Sequence, residues 1–91
     1  STLAVTVAPN PFNALTEIGY DLPEAGRLEL RIFDVRGRLL RTLVDAERPA
    51  GPGSVTWNGR DEEGRDVSSG IYLYRARLGA RHAQGKVALV R

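Results

Sequence analysis

Hydrophobic residues recur in this chain with a period of two almost from end to end. Leu3, Val5 and Val7 alternate with Ala4 and Thr6; Ile18, Tyr20 and Leu22 alternate with Gly19 and Asp21; Leu28, Leu30 and Ile32 alternate with Glu29, Arg31 and Phe33. Successive side chains of a β-strand point to opposite faces, so this spacing describes strands buried on one side and solvated on the other. Further strands are expected at Leu39 to Val44, Ser54 to Trp57, Ile71 to Leu78, and Ala83 to Val90, where Val87 and Leu89 share one face. The segment Leu39 to Glu47 also fits a helix, because Leu39, Leu40, Leu43 and Val44 recur at helical spacing; strand is the preferred reading. Seven short strands with turn signals between them specify an all-β chain folded as an antiparallel β-sandwich of about seven strands.

The breaks agree with that count. In Pro9-Asn10-Pro11 neither proline can donate to a ladder, so the chain leaves its sheet there. Pro23-Glu24-Ala25-Gly26 and Val35-Arg36-Gly37-Arg38 are tight connections whose glycines are available for positive φ. Arg48 to Gly53 reads as a longer, stiffer crossing. The most informative stretch runs from Trp57 to Tyr74. It ends a strand on a large aromatic residue, crosses an acidic loop punctuated by Gly59 and Gly64, and relaunches at Gly70 into a strand with two tyrosines.

Ninety-one residues make one domain, residues 1–91, too small for a core and an enclosed active site together. No apolar run approaches the roughly 18 residues of a membrane span, which argues against membrane insertion, and no secretory leader is recognisable, so export would be directed by another part of a longer chain. Cysteine is absent, which excludes disulfides and thiolate metal sites and leaves the compartment open. Lys86 is the only lysine among 13 basic residues. The arginines are dispersed among acidic and polar neighbours rather than clustered, so a surface laced with ion pairs is favoured over nucleic-acid binding.

Candidate chemistry is sparse. Asn58, Asp61, Glu62, Glu63 and Asp66 offer oxygens at spacings loosely like a calcium loop, but no bidentate acid closes it; Asn and Asp bonding their own downstream amides account for these residues better. The expectation is therefore no metal and no cofactor. Trp57, Tyr72, Tyr74 and Phe33 could form a stacking platform for sugars. Trp57 shares a face with Val55, which favours core packing, whereas Phe33 falls on the charged face of its strand. The single histidine, His82, alternates outward with Gln84 and Lys86, and Ser54, Ser68 and Ser69 lack a nucleophile elbow, so the chain is not expected to be an enzyme.

Five segments, in order, carry a resemblance: Asn10-Pro11-Phe12-Asn13 followed by Thr16-Glu17-Ile18; Leu22 to Gly26; Ile32 to Arg38; Trp57-Asn58-Gly59-Arg60-Asp61 through Gly64; and Ser69-Gly70-Ile71-Tyr72. From about Val7 to Arg91 the chain resembles the carboxy-terminal sorting domains, type A, of Por-type (type IX) secretion cargo, and the related FlgD-like immunoglobulin-like domain of the flagellar hook-capping protein. The resemblance implies an immunoglobulin-like sandwich at the C-terminus of a longer protein. Its motif residues, Asn10, Pro11, Phe12, Asp34, Gly37, Trp57, Gly59, Asp61, Gly64, Gly70 and Tyr72, would be mainly structural.

The implied role is delivery of an N-terminal cargo domain. Such domains fold in the periplasm, are recognised by the type IX outer-membrane machinery, and are commonly removed by a sortase-like surface peptidase as the cargo reaches the cell surface or medium. In that family the last strand is part of what is read, which points to Lys86, Val87, Leu89 and Arg91. A terminal strand could offer its backbone to a partner sheet; equally, Lys86 and Arg91 could be charges that discourage edge pairing. Two other readings compete: a structural or assembly module, as in a hook-capping scaffold or filament subunit, with self-association as its sign, and an accessory carbohydrate-binding module.

Overall fold

The computed structural model describes residues 2–13 and 15–91. Seven strands follow in chain order: β1 (Ala4–Ala8), β2 (Thr16–Leu22), β3 (Gly26–Phe33), β4 (Leu39–Arg48), β5 (Gly51–Trp57), β6 (Gly70–Leu78) and β7 (Arg81–Leu89). They form two antiparallel sheets, β1-β2-β5 and β4-β3-β6-β7. The alternating residues meet between the sheets: Ile18, Tyr20 and Leu22 from one, Leu28, Leu30, Ile32, Ala76 and Val87 from the other, all buried. The fold is the immunoglobulin-like β-sandwich that the strand count called for, and the described residues contain no helix.

The helical-looking spacing of β4 has a structural cause. Against β3, Leu30 pairs with Val44 but Arg31 with Thr42, and Ile32 pairs with Arg41 but Phe33 with Leu39. Leu43 and Leu40 are thus the extra residues of two β-bulges. Each bulge resets the alternation, which lets Leu40, Leu43 and Val44 all pack on the core.

The connections are tighter than the prolines and glycines suggested. The crossing expected over Arg48 to Gly53 shrinks to Pro49-Ala50, since β4 runs to Arg48 and β5 starts at Gly51. Pro52 lies within β5, opposite Asp21, and is tolerated because β5 is an edge strand. Gly26 opens β3 without positive φ, and its missing side chain leaves room for Leu78 instead. The last strand begins at Arg81 rather than Ala83, because Leu78 pairs with Arg81 across a two-residue Gly79-Ala80 hairpin loop.

Candidate partner-recognition surface

Three motif segments far apart in sequence meet at one end of the sandwich. Trp57, fully buried, has Phe12 on one side (ring centroids 5.4 Å apart) and Tyr72 edge-on at 5.5 Å. Its indole Nε1 donates to the Arg60 carbonyl at 3.0 Å, satisfying the one polar atom it takes into the core. The Tyr72 hydroxyl donates to the Ser68 carbonyl, a corner that fixes how the chain enters β6. At the preceding Gly70, φ is +156° and a Cβ would meet nothing, so this glycine serves backbone conformation alone.

The last strand is woven into this cluster. One edge of β7 pairs with β6, and the other is bonded by the Asn-Pro-Phe segment: Asn10 Nδ2 donates to Lys86 O, Ala88 N to Asn10 Oδ1, Phe12 N to Ala88 O, and Val90 N to Phe12 O. Beyond β7, Arg91 closes the end. Its backbone N donates to Ser69 Oγ, Nε to Val67 O at 2.7 Å and Nη2 to Gly59 O at 2.7 Å. A Cβ on Gly59, where φ is +72°, would stand 2.8 Å from that Nη2, so the clamp requires glycine there.

The four candidates on the last strand therefore do different things. Val87 and Leu89 are core, Arg91 is a clamp whose side chain is still 32% exposed, and Lys86 is an exposed side chain with no ion pair among the described residues. Strand addition along Lys86 to Val90 would first have to displace Asn10 and Phe12. The opposite edge of the same sheet is capped too: Glu62 N donates to Leu40 O, and its carboxylate accepts from Thr42 N. Edge capping is the role of the Asn-Pro-Phe and acidic-loop motifs.

Asp34-Val35-Arg36-Gly37-Arg38 and Asp61-Glu62-Glu63-Gly64-Arg65 are one turn used twice. In each, the Asp Oδ1 accepts from the amides two and four residues on, the glycine amide donates back to the Asp carbonyl, and the closing arginine contacts Oδ2. Both glycines have positive φ, +87° and +80°. The D-x-x-G-R spacing is visible in the sequence, and comparing the two loops with each other would have revealed it. It also shows what the calcium-candidate oxygens do: Asp61 holds its own loop, Asn58 Oδ1 accepts from Arg60 N, Glu63 faces Arg65, and Asp66 faces Arg60 and Arg91.

Amide hydrogen bonds, from Arg38 to Asp34 and from Arg65 to Asp61, with help from the same arginines' side chains, hold both carboxyls below the ordinary aspartate value. Depressed folded values mean stabilisation that is fully present above about pH 4, the unfolded range, and is lost as pH falls through the folded values. The urea midpoint should therefore drop on acidification into that window. An Asp34→Asn, Asp61→Asn double variant should be less stable at neutral pH and show a flatter dependence.

The outward face of the four-stranded sheet is laid out in rows by the register. Leu39, Phe33, Leu73 and Lys86 form one row; Thr42, Arg31, Arg75 and Gln84 the next; Asp45, Glu29, Arg77 and His82 a third. Arg31 is neutralised by Glu29 at 2.9 Å and Asp45 at 3.7 Å, and Arg27 by Asp45 at 2.7 Å. The Arg75 guanidinium lies over the Phe33 ring, 5.1 Å from its centroid. Of the four rings considered for a sugar platform, Trp57 and Tyr72 are core, Tyr74 lies across Gly85 on the core side, and Phe33 has its face covered. No exposed coplanar pair forms among them.

No curated protein matches this sequence. Among solved structures the fold is similar to part of dimeric latent PorU from Porphyromonas gingivalis (TM-score 0.77, 19% identity, 97% of this chain and 9% of that one). It is similar to part of PorZ, described as an essential bacterial surface component of the type-IX secretion system of the same organism (0.67, 24%, 97% and 12%). It is also similar to FlgD from Xanthomonas campestris, described in relation to hook capping essential for flagellar assembly (0.62, 24%, 97% and 62%). This chain thus spans about a tenth of the first two proteins and less than two thirds of the third. At the level of sequence families, residues 13–81 match the FlgD Ig-like domain, which takes in the paired turns, the Trp57 loop and the Tyr72 corner, and the chain belongs to that family.

Proposed function

We propose that this domain is a non-catalytic sorting domain, carried at the C-terminus of a longer protein, that directs its cargo through the type IX outer-membrane machinery to the cell surface or medium. The observation that carries this reading is one of proportion: nearly all of this chain matches a small part of PorU and of PorZ, the latter described as a component of that system. A self-closed domain appended to a large protein suits a delivery role. Its partners would be the N-terminal cargo, the secretion machinery and a sortase-like surface peptidase, and the path would run through the periplasm. Neither nucleic acid nor membrane insertion has a part in it. The second reading, an assembly module, draws on the likeness to FlgD, of which this chain matches about 62%.

The test is a fusion of residues 1–91 behind a periplasmically exported reporter in a bacterium with a type IX system. Reporter in the medium or on the surface is expected. Lys86→Glu, at the one terminal-strand candidate that neither packs in the core nor clamps the end, should reduce that export while moving Tm by no more than about 4 °C, as surface changes do. Periplasmic retention of the unaltered fusion, with the domain folded, would contradict the sorting role and favour the assembly module.

A further inference from the structure

The rows on the outward face of the β4-β3-β6-β7 sheet are unfinished electrostatically. Arg31 and Arg75 stand directly opposite each other on neighbouring strands, a like-charge pairing that costs stability. Arg31 has its carboxylates, but Arg75, Arg77 and Lys86 carry no ion pair among the described residues. Beside them is an uncovered apolar end: Val35 is 69% exposed, Leu39 50% and Ile71 46%. Between the two lies a groove of about 330 Å³ bordered by Phe33, Leu73, Arg75, Gln84 and Lys86.

We propose that this groove binds an extended acidic peptide of another protein, with one large apolar side chain against Leu73 and the part of Phe33 that borders the groove, and a carboxylate two residues away beside the unpaired Arg75 and Gln84. The spacing is the argument. Adjacent rows are two strand residues apart, about 6.6–6.8 Å, which is also the distance between same-side residues of an extended peptide lying along the strands. Other occupants fit less well. A sugar or a nucleobase needs a bare ring to stack on, and the Phe33 face is taken by Arg75. An anionic membrane would meet Glu29, Asp45 and Glu47, which share this face with the arginines. The proposal does not rest on the export reading.

The probe is a fluorescein-labelled peptide, Ser-Phe-Ser-Asp-Ser-Asp-Ser, titrated into the 91-residue chain with amide shifts followed by NMR. Saturable binding is expected, with the largest shifts at Phe33, Leu73, Arg75, Gln84 and Lys86. Replacing the peptide's Phe by Ser, or its Asp residues by Asn, should weaken binding about five- to tenfold, and Arg75→Gln and Lys86→Gln should each do the same, as desolvated contacts and close charge pairs do. Arg48→Gln, away from the groove, should not. Equal binding of the Phe-free peptide would reduce the surface to an ion exchanger and overturn the proposal. So would shifts elsewhere, no saturation, or binding of anionic vesicles in preference to the peptide.

Discussion

Trp57→Ala lowers the stability of the domain by about 3–5 kcal/mol, a large share of the roughly 5–15 kcal/mol that holds a domain of this kind together. The indole is fully buried between Phe12 and Tyr72, so its removal opens a cavity at the point where the two sheets and the last strand meet. The Arg60 carbonyl loses its donor at the same time. For a chain of this length the expected fall in Tm exceeds about 12 °C. A fall under about 4 °C would mean that Phe12 and Tyr72 close over the gap without cost, and that the aromatic cluster is not the centre of the fold.

Deleting Lys86 to Arg91 should abolish cooperative unfolding altogether. The deletion takes Val87 and Leu89 out of the core, removes the backbone groups that Asn10 and Phe12 bond, and removes the Arg91 clamp on Gly59 and Val67. Two large-to-small core losses alone cost about 4–10 kcal/mol. The circular dichroism melt should lose its transition and the amide spectrum should collapse. A folded truncated protein would show that the terminal strand is an appendage. This expectation decides how a sorting signal here can be studied: loss of export on truncation follows from unfolding as readily as from loss of recognition, which is why Lys86→Glu is the informative change.

Much of the sandwich was legible because period-two alternation is a direct image of burial. Leu28, Leu30 and Ile32 face the core as their spacing required, and Trp57 is buried as its shared face with Val55 implied. The β4 bulges were not legible, because an inserted residue makes a strand mimic helical spacing. The start of β7 was missed because His82 and Gln84 are polar; the hairpin signal lay in Gly79-Ala80 instead.

For the site, the limit was distance along the chain. Pro9-Asn10-Pro11 announced that β1 ends, but nothing local announces that Asn10 bonds Lys86 and Ala88, some 76 and 78 residues away. Arg91 likewise looks like a free terminal charge until Gly59 and Val67 are brought beneath it. Side-chain bonds to a remote backbone leave no periodicity. The twin D-x-x-G-R turn, by contrast, was fully local.

The central claim is that the terminal strand belongs to the fold and is not a linear tag. Hydrogen exchange at the Ala88 and Val90 amides tests it most directly, since both point away from β6 and are protected only by Asn10 and Phe12. They should exchange only by global unfolding, as slowly as the Leu30 amide in the sheet centre. Exchange within about tenfold of an unstructured peptide, with Leu30 still protected, would show an open edge and contradict the account.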